Sequence, residues 1–120
     1  MFQEINKEIV QLFTAGSHHR NISIIFITQN FFHENPHQRT ISLNADYVVF
    51  FKNPRDKSQI FHLAHQMFLE NVNFLVDAYK DATREPYSYL FIDLTPKTDD
   101  RFRVRSKIFL GEYTRLYKPT

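Results

Sequence analysis

The stretch GSHHRNISIIFITQN, residues 16–30, sets polar hydrogen-bonding groups at both ends of an apolar run. In open α/β sheets a ligand binds beyond the carboxyl ends of the strands. Gln29, standing after IIFIT, would face such a ligand, and its carboxamide can orient a water or hold a phosphate oxygen. Arg20 precedes the strand, so it reaches a site on a neighbouring subunit more readily than one on its own chain. A plainer reading stands beside this one: Gln29 and Asn30 shape a turn, and Arg20 forms a surface ion pair. Spacing alone leaves both open.

The other candidate chemistries are weaker. Six histidines invite a metal site, but His18 and His19, His33 and His37, and His62 and His65 lack the three- or four-ligand spacing that zinc needs. Asp93 closes the apolar run YLFID as a magnesium-holding aspartate would, yet no second acid follows it, so it reads as a surface residue at a strand end. Ser17 lacks the strained glycine elbow that exposes a nucleophile. The chain has only two glycines, Gly16 and Gly111, too far apart for a phosphate-cradling loop or a dinucleotide fingerprint. In RFRVRSKIF, Arg101, Arg103, Arg105 and Lys107 alternate with Phe102, Val104 and Ile108. A period of two puts the cations on one strand face, either as a solvated edge or as a groove that tracks nucleic-acid phosphates.

The elements that must position these residues follow from pattern. One hundred and twenty residues make one domain, 1–120, and 42% apolar content with 13 Phe and 6 Tyr suffices for a core. No apolar run is long enough to span a bilayer, and MFQEINKEIV lacks the layout of a signal peptide. No cysteine is present, which excludes disulfides and suits a reducing, intracellular setting. A net charge of +2 makes no general magnet for nucleic acid.

Residues 3–14 have helical periodicity through Ile5, Ile9, Leu12 and Phe13, with Gly16 as the cap. ISIIFIT (22–28) reads as a strand buried on both faces, which implies a parallel or mixed sheet covered by helices. Residues 31–45 read as a loop with one helical turn near 39–43. DYVVFFK (46–52) is a second strand, and NPRD opens a helix with Asn53 as N-cap and Pro54 in the first position. Ile60, Leu63, Ala64, Met67 and Phe68 form that helix's buried stripe. A further helix runs over 71–82, stopped before Pro86. YSYLFIDL (87–94) and FRVRSKIF (102–109) close the chain as a hairpin. The pattern is α/β.

Read together, LFTAGSHHRNISIIFITQNFFH, RTISLNADYVVFFKNPRDKSQIFHLAHQMF and AYKDATREPYSYLFIDL resemble the second half of packaging-type ATPases of the FtsK/HerA superfamily. Such ATPases occur in Polinton-like and adintovirus-like elements and are relatives of poxvirus packaging ATPases. The likeness covers residues 5–109 and rests jointly on GSHHRN, TQN and FKNPRD. It implies a partial RecA-like P-loop core with a mixed sheet, within a ring that drives double-stranded DNA into a capsid. On that likeness Gln29 senses the γ-phosphate or orients the attacking water. Arg20 acts on the neighbouring subunit's site, with Arg39 and Arg55 as rivals, and Asn30 and Arg55 fall to nucleotide contacts.

The resemblance also implies what this chain lacks. The family's Walker A loop and Walker B acids lie upstream of the first helix, in accord with the glycine count. ATP and Mg²⁺ therefore belong to the full-length enzyme and are not expected to bind this chain alone. Expected partners are double-stranded DNA and neighbouring subunits, with no membrane, in the nucleus or cytoplasm of a host or in a virion. Exposed apolar edges lead us to expect self-association of the isolated chain. A non-catalytic nucleic-acid-binding or protein-interaction module, working through RFRVRSKIF, is the alternative.

Overall fold

The computed structural model describes residues 10–11, 13–14, 22–29, 36–55 and 58–119. The chain divides into two compact units, Met1–Ala45 and Asp46–Thr120.

In the first unit, Val10 and Gln11 are helical and Phe13 and Thr14 continue in a wider turn, where the Thr14 hydroxyl donates to Val10 O at 3.1 Å. The rest of the expected helix over 3–14, with its Gly16 cap, lies outside the described residues. The region expected to be mostly loop contains a nine-residue helix, α1, Pro36–Asn44. Pro36 opens it, where its fixed φ is already helical and its missing N–H costs nothing. Asn44 ends it, its side-chain amide donating to Thr40 O at 2.8 Å. Ile41 is buried.

Residues 22–28 correct the sequence reading. They form no strand and are not covered on both faces: Ile25 is 88% and Ile27 86% exposed. Phe26 is half-buried and meets Phe13 edge to face, with ring centroids 6.2 Å apart. A strand exists only as part of a ladder, and every ladder of the described sheet joins segments within 47–117.

The second unit holds β1 (Tyr47–Phe51), α2 (Ser58–Met67), a 3₁₀ turn (Leu69–Asn71), α3 (Val72–Ala82), β2 (Tyr89–Asp93), a 3₁₀ turn (Asp100–Phe102), β3 (Val104–Ser106) and β4 (Arg115–Tyr117). The strands form one sheet in the order β1-β2-β3-β4, and all three pairings are antiparallel. The unit is α/β as expected, but the sheet is antiparallel and not mixed. β4 went unforeseen: RLY is three residues long and carries no alternation of its own.

Period-two burial separates the sheet's faces. Val48, Leu90, Ile92 and Val104 are buried on one side, while Tyr47, Val49 and Phe51 stand exposed on the other. α3 packs across β2 and β3, and α2 packs on α3. Ile60, Leu63 and Ala64 of α2 are buried with Leu75, Val76, Ala78 and Tyr79 of α3. Phe68, expected in the stripe, is half-buried beyond the end of α2, and the Met67 side chain lies outside the described ones. α3 stops where the Thr83 hydroxyl turns back to Tyr79 O at 2.6 Å, offering the backbone a local alternative to helix. The β3–β4 connection turns at Gly111, whose φ of +86° suits a residue without Cβ, and Glu112 N donates to Phe109 O at 3.1 Å.

Candidate functional site

Two constructions stand out among the described residues: a pinned turn at the carboxyl end of β1, and a buried carboxylate at the carboxyl end of β2.

The turn is FKNPR, residues 51–55. Tyr79, on the buried side of α3, reaches it with its hydroxyl, donating to Phe51 O at 3.0 Å and accepting from Asn53 N at 3.2 Å. The Asn53 side-chain oxygen then accepts Arg55 N at 3.1 Å, an Asx turn that mimics a backbone turn. Lys52 Nζ donates to Arg84 O at 2.9 Å, tying the same segment to the end of α3. Asn53 therefore caps a turn and not a helix, a correction to the sequence reading: α2 begins at Ser58, and residues 56–57 lie outside the described ones. Arg55 is exposed, and no acid among the described residues pairs with it. The fixed backbone presents an exposed guanidinium at a strand tip, a group that suits an oxyanion.

Tyr79 is the residue that sequence reasoning missed here; it lies among the buried residues of α3, and its hydroxyl gives no signal in the spacing. Tyr79→Phe deletes both hydrogen bonds and keeps the ring. We expect a loss of about 1–2 kcal/mol of stability, read from the midpoint of urea unfolding, with β1's last amides exchanging faster.

The second construction overturns the reading of Asp93 as a surface residue. It is 5% exposed. Its Oδ1 accepts Thr95 N at 2.9 Å and the Thr95 hydroxyl at 2.6 Å, while Oδ2 accepts the Thr98 hydroxyl at 2.7 Å and Arg105 Nη2 at 3.2 Å. Burial works to raise its pKa, but the Thr95 and Thr98 hydroxyls, the Thr95 amide and Arg105 outweigh it. The carboxyl is held below its ordinary range. A carboxylate so fully occupied is a lock between the β2–β3 connection and β3. It has no spare lone pair aimed at a ligand.

Three of the four cations of the basic segment are likewise engaged by aspartates of the fold itself. Only Arg105 lies in β3; Arg101 sits in the 3₁₀ turn, Arg103 just after it, and Lys107 beyond the strand with a φ of +56°. The four cations do not share a strand face as the alternation implied. Arg101 pairs with Asp99 at 2.9 Å and, by its hydrogen bonds to that carboxylate, brings its pKa down to about 2. Arg103 pairs with Asp100 at 2.7 Å and donates to Asp93 O and Thr95 O at 3.1 and 2.7 Å. Arg105 pairs with Asp93 and lies over the Phe91 ring, 5.7 Å from its centroid. Lys107 is exposed, with no acidic partner among the described residues. Asp99 and Asp100 sit in the PKTDD turn, two and three residues from Arg101 and Arg103, where that charge balance could have been read; Asp93, twelve residues from Arg105, could not.

Asp81 makes a third knot, between α3 and β4. It accepts the Tyr117 hydroxyl at 2.6 Å and Arg115 Nη1 at 3.0 Å, contacts that lower its pKa against the desolvation that raises it. Gln29 is exposed, in a bend after residues 22–28, so its carboxamide is not turned into a core. Arg20 and Asn30 lie outside the described residues, as does the side chain of Arg39 in α1. Among the described residues no group of three His, Cys, Asp or Glu side chains is gathered for a metal ion; His62 and His65 lie on the exposed side of α2. No protein-family model, curated protein or solved structure matches the chain.

Proposed function

We propose that this chain is the sensor and inter-subunit half of a RecA-like, ATP-driven motor that packages or translocates double-stranded DNA. The observation that carries the reading is the FKNPR turn. Its backbone is pinned by a buried tyrosine, and Arg55 stands exposed on it with no acidic partner among the described residues. Other described arginines are each matched by an aspartate: Arg84, Arg101, Arg103, Arg105 and Arg115. An unmatched one on a rigid mount is suited to a phosphate that arrives with a ligand.

In this reading ATP with Mg²⁺ supplies the phosphoryl bond whose hydrolysis drives the motor. The residues of this chain furnish contacts and no cradle, since two distant glycines cannot form one. The Gln29 carboxamide, exposed after the apolar run, carries both a donor and an acceptor, as orienting a water requires. Asn30 and Arg55 hold nucleotide oxygens, and Arg20 brings positive charge to the site of the neighbouring subunit. Lys107 is the cation of the basic segment left available for DNA.

The reading frame upstream of Met1 is the first test. A GxxxxGK[ST] loop and an apolar strand ending in two acids, continuous with this chain, are expected. With that frame expressed whole, Gln29→Ala should cut ATP turnover at least about 100-fold while nucleotide binding persists. Normal turnover by the Gln29→Ala protein, or the lack of any phosphate loop in the frame, would sink the proposal.

A further inference from the structure

β1 occupies one border of the sheet. The flanking bonds Leu94 N to Asp46 O (2.7 Å) and Lys52 N to Ser88 O (3.1 Å) show that the even-numbered residues of this segment turn their backbone groups toward β2. Tyr47, Val49 and Phe51 consequently direct theirs outward. Among the described residues, only Phe51 O has a partner there, the Tyr79 hydroxyl. The side chains of the same three residues are 56%, 43% and 64% exposed. A five-residue border with no charge, proline or bulge is what folded proteins ordinarily avoid displaying.

The segment DYVVFFK is also chemically palindromic about Val49. We infer that β1 pairs antiparallel with β1 of a second copy of this chain across a two-fold axis at Val49, joining two four-stranded sheets into one of eight. In that register Val49 faces Val49 and Tyr47 faces Phe51, both as hydrogen-bonded pairs formed by the outward groups. Asp46 then faces Lys52 of the other copy, twice. Asp46 is exposed, with no cationic partner among the described residues, so the two-fold supplies the opposite charge that its own unit does not. The Tyr47–Phe51 pairs extend the aromatic rows already present, in which Tyr47 stacks on Phe91 at 5.6 Å and Phe51 meets Tyr89 edge to face at 6.2 Å. The register is self-consistent only for a second copy.

Sedimentation equilibrium of the full chain tests this. A concentration-dependent monomer–dimer equilibrium is expected, with the amides of Tyr47, Val49 and Phe51 gaining exchange protection as the dimer fills. Val49→Lys sets like charges directly opposed at the axis and should weaken the dimer at least about tenfold. Asp46→Lys and Lys52→Asp should each weaken it, and the double reversal should restore it. For a dimer too weak to sediment, Val49→Cys in this cysteine-free chain should cross-link on oxidation, since hydrogen-bonded antiparallel partners lie about 5.5 Å apart. Leu110→Cys, fully exposed elsewhere, should not. A strict monomer with equal cross-linking at the two sites would overturn the inference. So would a dimer indifferent to Val49→Lys, or open-ended aggregation unaffected by the charge reversals.

Discussion

Arg20→Ala, made in the frame that carries both halves of the proposed motor, is expected to lower ATP turnover by three to five orders of magnitude. A guanidinium supplied to a neighbour's site is worth about 4–7 kcal/mol of transition-state stabilisation, because it meets charge that grows as the phosphoryl group transfers. Binding of ground-state nucleotide should change little, so the loss falls on kcat. Mixing experiments separate this role from a structural one. An Arg20→Ala subunit retains its own site, so co-assembly with a Gln29→Ala subunit should recover part of the activity. Arg55→Ala, by contrast, should weaken nucleotide binding itself, since its mount is fixed before ligand arrives. Unchanged turnover in Arg20→Ala would transfer the trans role to another arginine, and Arg39→Ala would then be the variant to assay.

Asp93→Ala should be the most costly single change to the described structure outside the apolar core, at about 3 kcal/mol. Removing the carboxylate leaves the Thr95 amide, the Thr98 hydroxyl and the Arg105 guanidinium short of a partner in a region with little water to replace it. Asp93→Asn keeps the size and part of the hydrogen bonding, so it should lose less. The pH profile carries the same information. Asp93 and Asp81 both titrate below the ordinary 3.8 in the folded chain, so each contributes stability that is complete above about pH 5. That contribution disappears as pH falls through the folded values. Thermal melts of the wild-type chain should therefore decline steeply below about pH 4, and Asp93→Asn should flatten that decline. Tyr117, whose pKa is pushed up by burial and then by its bond to Asp81, loses its proton late, so the α3–β4 knot should persist at alkaline pH.

Sequence and structure agree where the signal was local. Helical spacing located the buried Ile60, Leu63 and Ala64 of α2 and the existence of α3, and strand-like runs located β1, β2 and β3 with the hairpin between the last two. Apolar periodicity records which side of an element faces a core, and that survives whatever the element packs against. The strand expected at 22–28 failed for the complementary reason. Its β-branched run states a willingness to pair, but pairing requires a second strand, and composition cannot say whether one is at hand.

By itself the sequence determined the α/β class and the places of α2, α3, β1, β2 and β3, because residue types and spacing suffice for those. Only the tertiary structure decided that the sheet is antiparallel and that Asp93 is buried. It alone decided that three arginines are neutralised and that Tyr79 holds the Arg55 turn from 24 residues away. Each of those depends on a partner distant in the chain or on which neighbours exclude water, and neither is written in local pattern.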